Sequence, residues 1–230
     1  MPLISISNDQ QQPLPAVGWM RTIPHGLPLD LLQFHANPEG YLAFLGRISP
    51  EKRPDRAIEI AARAGLPLRI AAKVDRVDRE YWHWHTRIEP LVKNNPLVEF
   101  VGEIGDDEKA AFLGNSLALL FPIDWPEPFG LVMIEAMACG TPVIAWSCGA
   151  VPEVVDEGVT GYMVDSVEEA VAAVDAARAL DRAKVRATFE RRFTARRMAS
   201  DYVEVYKRLC LRSDATNVSG DGVAILPLTI

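Results

Sequence analysis

The 230-residue chain has few cysteines, no long apolar run and no excess of basic residues. Its three cysteines form no C-x-x-C motif, so we expect free thiols in a reducing compartment. No apolar run approaches the roughly 18 residues of a membrane span. The first residues, MPLISISNDQQQ, have neither the basic start nor the apolar stretch of a signal peptide. Because the formal net charge is −7, nucleic acid is not an expected partner, and a cytoplasmic globular protein is predicted.

Three motifs of nucleotide and metal enzymes are also missing. No G-x-G-x-x-G follows the first strand of the central region, which excludes the usual NAD fingerprint. No G-x-x-x-x-G-K-[ST] is present, which argues against a P-loop ATPase. No Asp-x-Asp pair occurs, which argues against a metal-bridged diphosphate. We therefore predict neither a metal site nor a bound cofactor.

What the sequence does contain is an alternation of strand-like and helical segments in its middle. The strands are near-continuous apolar runs, such as Tyr41–Leu45 and 117–122, and helical stretches end at Gly65 and Gly140. Continuous apolar strands are typical of a parallel sheet that helices cover on both faces. Repeated βα units then give a doubly wound, Rossmann-like α/β domain. We predict this domain at residues 39–190, a helix at 191–212 and a loose tail at 213–230.

Residues 1–38 have a different pattern. Leu3–Ser7 resembles one strand, and four prolines between residues 13 and 28 disfavour a helix until about Leu29–Phe34. One strand alone is not stable. We therefore expect it to belong to a second sheet, either elsewhere in the fold or in a part that this chain lacks.

Charged residues and glycines follow the predicted strands, where ligands of open α/β sheets bind. Arg47 and Lys52 follow the first strand and match the charge of a diphosphate, although two solvated surface cations would have the same pattern. Gly130 begins a helix whose free amides suit phosphate or sugar hydroxyls. Glu127, held between two prolines, either contacts that ligand or complements the helix dipole.

The helix at 131–139 is apolar on all sides, which predicts that it is buried. Glu135 is its only charged residue, and a buried carboxylate needs hydrogen-bond partners. The two hydroxyls of a ribose would supply them, and so would a structural arginine or a backbone amide. The residues alone leave both interpretations open.

The run WPEPFGLVMIEAMACGTPVIAWSCGAVPEVVDEGVTGYMV resembles the C-terminal donor half of the family 4 retaining glycosyltransferases, glycosyl transferases group 1. These enzymes have two facing Rossmann-like domains, the B-type arrangement. Two features carry the resemblance: Glu127 and Glu135 with seven residues between them, and the G-R-x-x-x-x-K loop at Gly46–Lys52. The resemblance covers about residues 41–180. Residues 1–38 then resemble a remnant of the N-terminal domain with its hinge, and 191–212 the helix that crosses back.

The resemblance implies transfer of a hexose, with retention, from a UDP- or GDP-linked sugar to an unknown acceptor hydroxyl, with no required metal. It implies catalytic roles for three residues, of which Arg47 and Lys52 hold the diphosphate and Glu127 orients the sugar. Glu135 would bind the ribose, and the other implied substrate contacts are Gly46, Val101, Gly102, Phe129, Gly130 and Leu131. Arg53 stands where the family usually has glycine, which stiffens the loop or adds a third phosphate contact.

Two alternatives come from other classes. In the first, the chain is a non-catalytic nucleotide-sugar-binding module or a truncated product that is inactive without an acceptor domain. In the second, it is a B-type sugar epimerase or phosphorylase.

Residues 178–212 hold eleven basic and four acidic side chains. We interpret them first as a solvated helical face. The alternative is peripheral contact with an anionic inner membrane or a lipid-linked acceptor.

Overall fold

The computed structural model describes residues 3–74 and 78–217, and the chain begins with a small separate sheet. Strand β1 (Leu3–Ser5) pairs in parallel with β2 (Trp19–Thr22). The predicted first strand therefore has its partner within the chain, in a segment that the surrounding prolines concealed. No helix begins at Leu29–Phe34 either, where the chain forms turns and bends whose carbonyls accept from Arg186.

The main sheet has six strands, and every neighbouring pair is parallel. The strands are β3 (Tyr41–Arg47), β4 (Leu68–Lys73), β5 (Val98–Gly102), β6 (Ser116–Phe121), β7 (Val143–Trp146) and β8 (Gly161–Val164). Their order across the sheet is β5-β4-β3-β6-β7-β8. The order reverses between β3 and β6, and such a switch point is where open α/β sheets bind ligands. This confirms the predicted doubly wound, Rossmann-like α/β fold.

Helices follow the strands on both faces of this sheet. They are α1 (Pro54–Ala64), α2 (Asp78–His83), α3 (Glu89–Lys93), α4 (Asp106–Gly114), α5 (Leu131–Ala138), α6 (Val151–Val154), α7 (Val167–Arg178), α8 (Arg182–Arg192) and α9 (Ala195–Asn217). A π-helical turn at Trp84–Ile88 joins α2 to α3.

Two apolar clusters lie on opposite faces of the sheet. Along β3, Tyr41 and Ala43 belong to the cluster with α4, α5 and α8. Leu42 and Phe44 belong to the cluster with α1 and α7. This alternation is the two-residue period of a strand, and it shows why the strands are apolar without interruption: each face has its own core.

The basic C-terminal region is only partly a solvated face. The guanidinium of Arg182 donates to the carbonyls of His35, Gly114 and Ser116. Two further arginines also donate to carbonyls of the N-terminal segment: Arg186 to Leu29 and Leu32, and Arg197 to Pro24 and His25. The prediction of a solvated face is therefore wrong for these arginines, which fasten residues 24–35 to the body.

The last helix is longer than its sequence pattern indicated. α9 continues to Asn217, so residues 213–217 are helical where a loose tail was predicted. The rest of the predicted tail, 218–230, lies outside the described residues. Within 3–74 and 78–217, no helix is long and apolar enough to cross a membrane.

Candidate functional site

A cavity of about 540 Å³ opens at the carboxyl edge of the sheet, beside the switch point. Its walls come from the end of β3, from Phe121 of β6, from the loop that leads into α5 and from the first residues of α5. Ile6 and His25 of the N-terminal segment complete it. The structure thus brings together seven of the predicted site residues: Gly46, Arg47, Lys52, Glu127, Phe129, Gly130 and Leu131.

Glycine is required where α5 begins. Gly130 has φ 78°, in the left-handed region, and a Cβ there would lie 2.7 Å from the terminal methyl of Met133. The tight turn places the first amides of α5 at the cavity, since Leu131 and Val132 line it. The amino end of the helix therefore supplies donors and a positive dipole end to this space.

The backbone of Glu127 is held from the loop between β7 and α6. Gly149 has φ 61°, and a Cβ there would lie 2.3 Å from the amide nitrogen of Glu127. The amide of Ala150 donates to the Glu127 carbonyl at 2.9 Å. Gly149 therefore allows a backbone contact that no side chain would permit, and this contact fixes the position of the Glu127 backbone.

Lys52 and Glu127 form an ion pair with each other inside the cavity. Their side chains are only 16% and 13% exposed. Trp125 donates its indole N–H to Oε2 of Glu127 at 3.0 Å, and the Lys52 ammonium lies 5.4 Å from the Trp125 ring centroid. The pair is therefore partly shielded from water, and an anionic ligand in the cavity would compete with Glu127 for the Lys52 ammonium.

Arg47 also has a carboxylate partner. It is the last residue of β3, not a loop residue as predicted, and its Nη1 lies 3.2 Å from Oε1 of Glu80. More than half of the Arg47 side chain is exposed. Arg53, with φ 53°, directs its guanidinium to Asp55 and Asp124 and does not line the cavity. Arg53 thus has two carboxylate partners, and the third phosphate contact suggested for it stays a prediction.

Glu135 has a partner that the sequence analysis did not consider. Its Oε1 accepts a hydrogen bond from Nζ of Lys109 at 3.1 Å, and its side chain is 14% exposed. The predicted fully buried helix is wrong at its first turn, since Leu131 is 46% exposed at the cavity. Glu135 lies one turn beyond Leu131 on the same helix face, outside the cavity wall.

Val101 and Gly102 do not line the cavity either. They end β5, the edge strand, which is two strands from β3. At the usual strand spacing this is about 10 Å. Both residues thus lie on the same sheet edge as the cavity but beyond its wall.

Eight lining residues were absent from the predicted site, and Ile6, His25 and Trp125 are among them. The ring of His25 meets Phe129 edge-on, with 5.1 Å between ring centroids, and burial lowers the pKa of His25 below its ordinary value. Position in the chain concealed Ile6 and His25, because they come from the segment interpreted as a hinge. Trp125 had a signal, since it precedes Glu127 by two residues.

The fold and the position of this cavity are those of one Rossmann-like domain of the B-type glycosyltransferases. A sucrose-phosphate synthase from Thermosynechococcus elongatus is similar with a TM-score of 0.77 and 27% identity, over 92% of this chain and 59% of that one. The Anabaena protein Alr3699/HepE, solved with UDP and glucose, has the same fold, with a TM-score of 0.74 at 22% identity over 89% of this chain and 62% of that one.

The chain belongs to the glycosyl transferases group 1 family, whose model matches residues 33–195. The resemblance seen in the sequence is thus confirmed. D-inositol 3-phosphate glycosyltransferase of Mycobacterium tuberculosis is 33% identical over 155 residues, which are 62% of this chain and 28% of that relative. The chain therefore matches less than a third of that relative's length.

Proposed function

We propose that this chain forms the donor-binding part of a glycosyltransferase that transfers a hexose from a nucleoside-diphosphate sugar to an acceptor hydroxyl. One observation carries the proposal: the cavity at the switch point combines two cations with the amino end of α5 and with Glu127. Cations and helix amides suit a diphosphate, and a carboxylate suits sugar hydroxyls. The UDP complex of Alr3699/HepE, a protein of the same fold, supports a nucleotide-sugar as the ligand.

The charges of the site suit an exchange of partners. Within the chain, Lys52 pairs with Glu127 and Arg47 with Glu80. A diphosphate bears more charge than either carboxylate and can accept hydrogen bonds from both cations. We propose that the diphosphate replaces these carboxylates, and that Glu127 is then available to the sugar.

The nucleoside would extend along the sheet edge away from the cavity. Glu135, one helical turn beyond Leu131, would accept hydrogen bonds from the ribose hydroxyls, with Lys109 holding its carboxylate in place. Val101 and Gly102, about 10 Å from β3, would contact the base, which is UDP- or GDP-type in this proposal. The separation of these residues from the cavity matches an extended nucleotide-sugar better than a compact ligand.

The proposed reaction proceeds with retention and is driven by stabilisation of the leaving diphosphate. Charge grows on the diphosphate as the glycosidic bond breaks, and Arg47, Lys52 and the α5 amides would stabilise it. Among the described residues that line the cavity, Glu127 is the one carboxylate, and it is paired with Lys52. We therefore assign Glu127 to sugar orientation and propose that the leaving phosphate accepts the proton of the acceptor hydroxyl.

Calorimetric titration of the chain with UDP, GDP and ADP tests donor binding. We expect one of these nucleotides to bind, and we expect Glu135→Gln to weaken that binding by about 1–3 kcal/mol. Glu108→Gln is the matched control, because Glu108 caps α4 away from the cavity. A folded chain that binds none of the three nucleotides would contradict the proposal.

The acceptor and the place of action remain predictions. Arg182, Arg186 and Arg197 use their guanidinium groups within the fold, which reduces the charge available for a membrane. Flotation with anionic and neutral liposomes tests the predicted peripheral contact. Equal, negligible flotation with both would contradict it.

A further inference from the structure

Trp125 contacts both members of the buried ion pair. Its indole N–H donates to Oε2 of Glu127 at 3.0 Å, and the face of its ring lies 5.4 Å from the Lys52 ammonium. The side chain is partly exposed and lines the cavity. One residue thus joins the cation assigned to the diphosphate to the carboxylate assigned to the sugar.

A bound diphosphate would change one of the two hydrogen-bond contacts of Glu127 and leave the other in place. The ammonium of Lys52 is attracted to the more highly charged ligand, which removes the cation from Glu127. In the part of the chain that the structure describes, Lys52 and Trp125 are the hydrogen-bond partners of the Glu127 carboxylate. The Glu127 side chain is 13% exposed, and a shielded carboxylate without a donor is costly. The indole N–H would then be the remaining donor.

Because the backbone of Glu127 is held in place, only its side chain is free to change orientation. Pro126 and Pro128 restrict the chain on either side, and Gly149 packs against the Glu127 amide. The carboxylate can still rotate about its side-chain bonds once Lys52 leaves. The indole N–H, two residues earlier in the same restrained segment, opposes that rotation by its hydrogen bond to Oε2.

We propose that Trp125 is a positioning residue that holds the Glu127 carboxylate toward the sugar after Lys52 has moved to the diphosphate. This inference rests on the proposed function. It requires that Trp125 matter for recognition of the sugar and not for recognition of the nucleotide.

Trp125→Phe tests the inference, because phenylalanine keeps an aromatic ring beside Lys52 and removes the indole N–H together with one of the two fused rings. We expect the variant to bind UDP within about twofold of the unchanged chain and UDP-glucose about tenfold more weakly, the loss of one charge-assisted hydrogen bond. GDP and GDP-mannose are titrated in parallel. Trp82→Phe is the matched control, because Trp82 is exposed and lies outside the cavity wall.

A second pair of variants separates positioning from general damage to the site. Adding Trp125→Phe to Glu127→Ala should produce no further loss of UDP-glucose binding, since the acceptor that the indole N–H serves is already gone. Additive losses, equal weakening of UDP and UDP-glucose, or no change in either would overturn the inference alone. If neither UDP nor GDP binds the unchanged folded chain, the proposed function fails first and the inference fails with it.

Discussion

The cavity and the surface between α8, α9 and the N-terminal segment both contain partly buried cations, but the partners differ. In and beside the cavity, Arg47, Lys52 and Lys109 each pair with a carboxylate. At the second surface, Arg182, Arg186 and Arg197 donate to backbone carbonyls. Two of these arginines also pair with a carboxylate of their own helix, Arg186 with Glu190 and Arg197 with Asp201. A carboxylate can be replaced by another anion, whereas a carbonyl of the fold cannot leave. A carbonyl partner therefore marks a cation that holds the structure, and a cation whose hydrogen-bond partners are carboxylates alone is available to a ligand.

Removing a structural arginine should have the largest effect. Arg182→Met leaves the carbonyls of His35, Gly114 and Ser116 without their guanidinium donor. We expect the free energy of unfolding to fall by about 3 kcal/mol. Urea denaturation measures it, with Arg191→Met as the control because Arg191 is exposed on the same helix. Equal stability of the two variants would contradict the distinction between the two groups of cations.

Disturbing the contact between Gly149 and Glu127 should have the second-largest effect. Gly149→Ala places a Cβ 2.3 Å from the Glu127 amide nitrogen, so the loop must move and Glu127 with it. We expect a loss of about 2 kcal/mol in unfolding free energy together with weaker UDP-glucose binding.

Gly158→Ala is the matched control for that variant. Gly158 has φ 69°, close to the 61° of Gly149, but a Cβ there meets no atom within 4 Å. Both substitutions therefore have the same backbone strain, and only Gly149→Ala has the clash. If ligand binding falls equally in both variants, the contact does not position Glu127.

Breaking the cavity ion pair should affect binding more than stability. Lys52→Ala removes the cation assigned to the diphosphate, and we expect UDP or GDP to bind at least about tenfold more weakly. The change in unfolding free energy should stay near 1 kcal/mol, since the cavity is open to water. Lys93→Ala is the control, because Lys93 pairs with Glu89 on the surface. Unchanged nucleotide affinity of Lys52→Ala would contradict its assignment.

The smallest expected effect is a difference between the three cysteines in their rate of thiol modification. Burial raises the pKa of Cys139 to about 12 and also raises that of Cys148, whereas Cys210 is exposed. At pH 8 we expect a disulfide reagent to modify Cys210 rapidly, Cys148 more slowly and Cys139 only on unfolding.

The raised pKa of Cys139 makes the stability of the folded state depend on pH in the alkaline range. Between pH 9.0, the ordinary pKa of a cysteine, and about pH 12, the raised pKa of Cys139, the folded state keeps this thiol protonated. The associated stability is complete below pH 9 and is lost as the pH rises toward 12. Cys139→Ala should therefore flatten the alkaline limb of a stability profile, and an unchanged limb would count against the assignment.

The strand ends and the start of α5 could be predicted because their signals are local. Apolar runs of five or six residues and a glycine before an apolar helix place Gly46, Arg47 and Gly130 on one edge of a parallel sheet. The partners could not be predicted in the same way. Glu80 and Arg47 are 33 residues apart in the chain, and Lys109 and Glu135 are 26 apart. No local pattern indicates which of many charged residues will meet.

By itself, the sequence determined the alternation of strands and helices, the parallel sheet and the residues that follow its strands, because these depend on short-range preferences and on the period of apolar positions. Only the tertiary structure decided that Trp19–Thr22 pairs with the first strand, that His25 and Trp125 line the cavity and that arginines of α8 and α9 bind carbonyls. These depend on contacts between distant segments, whose geometry is set when the chain packs around two cores.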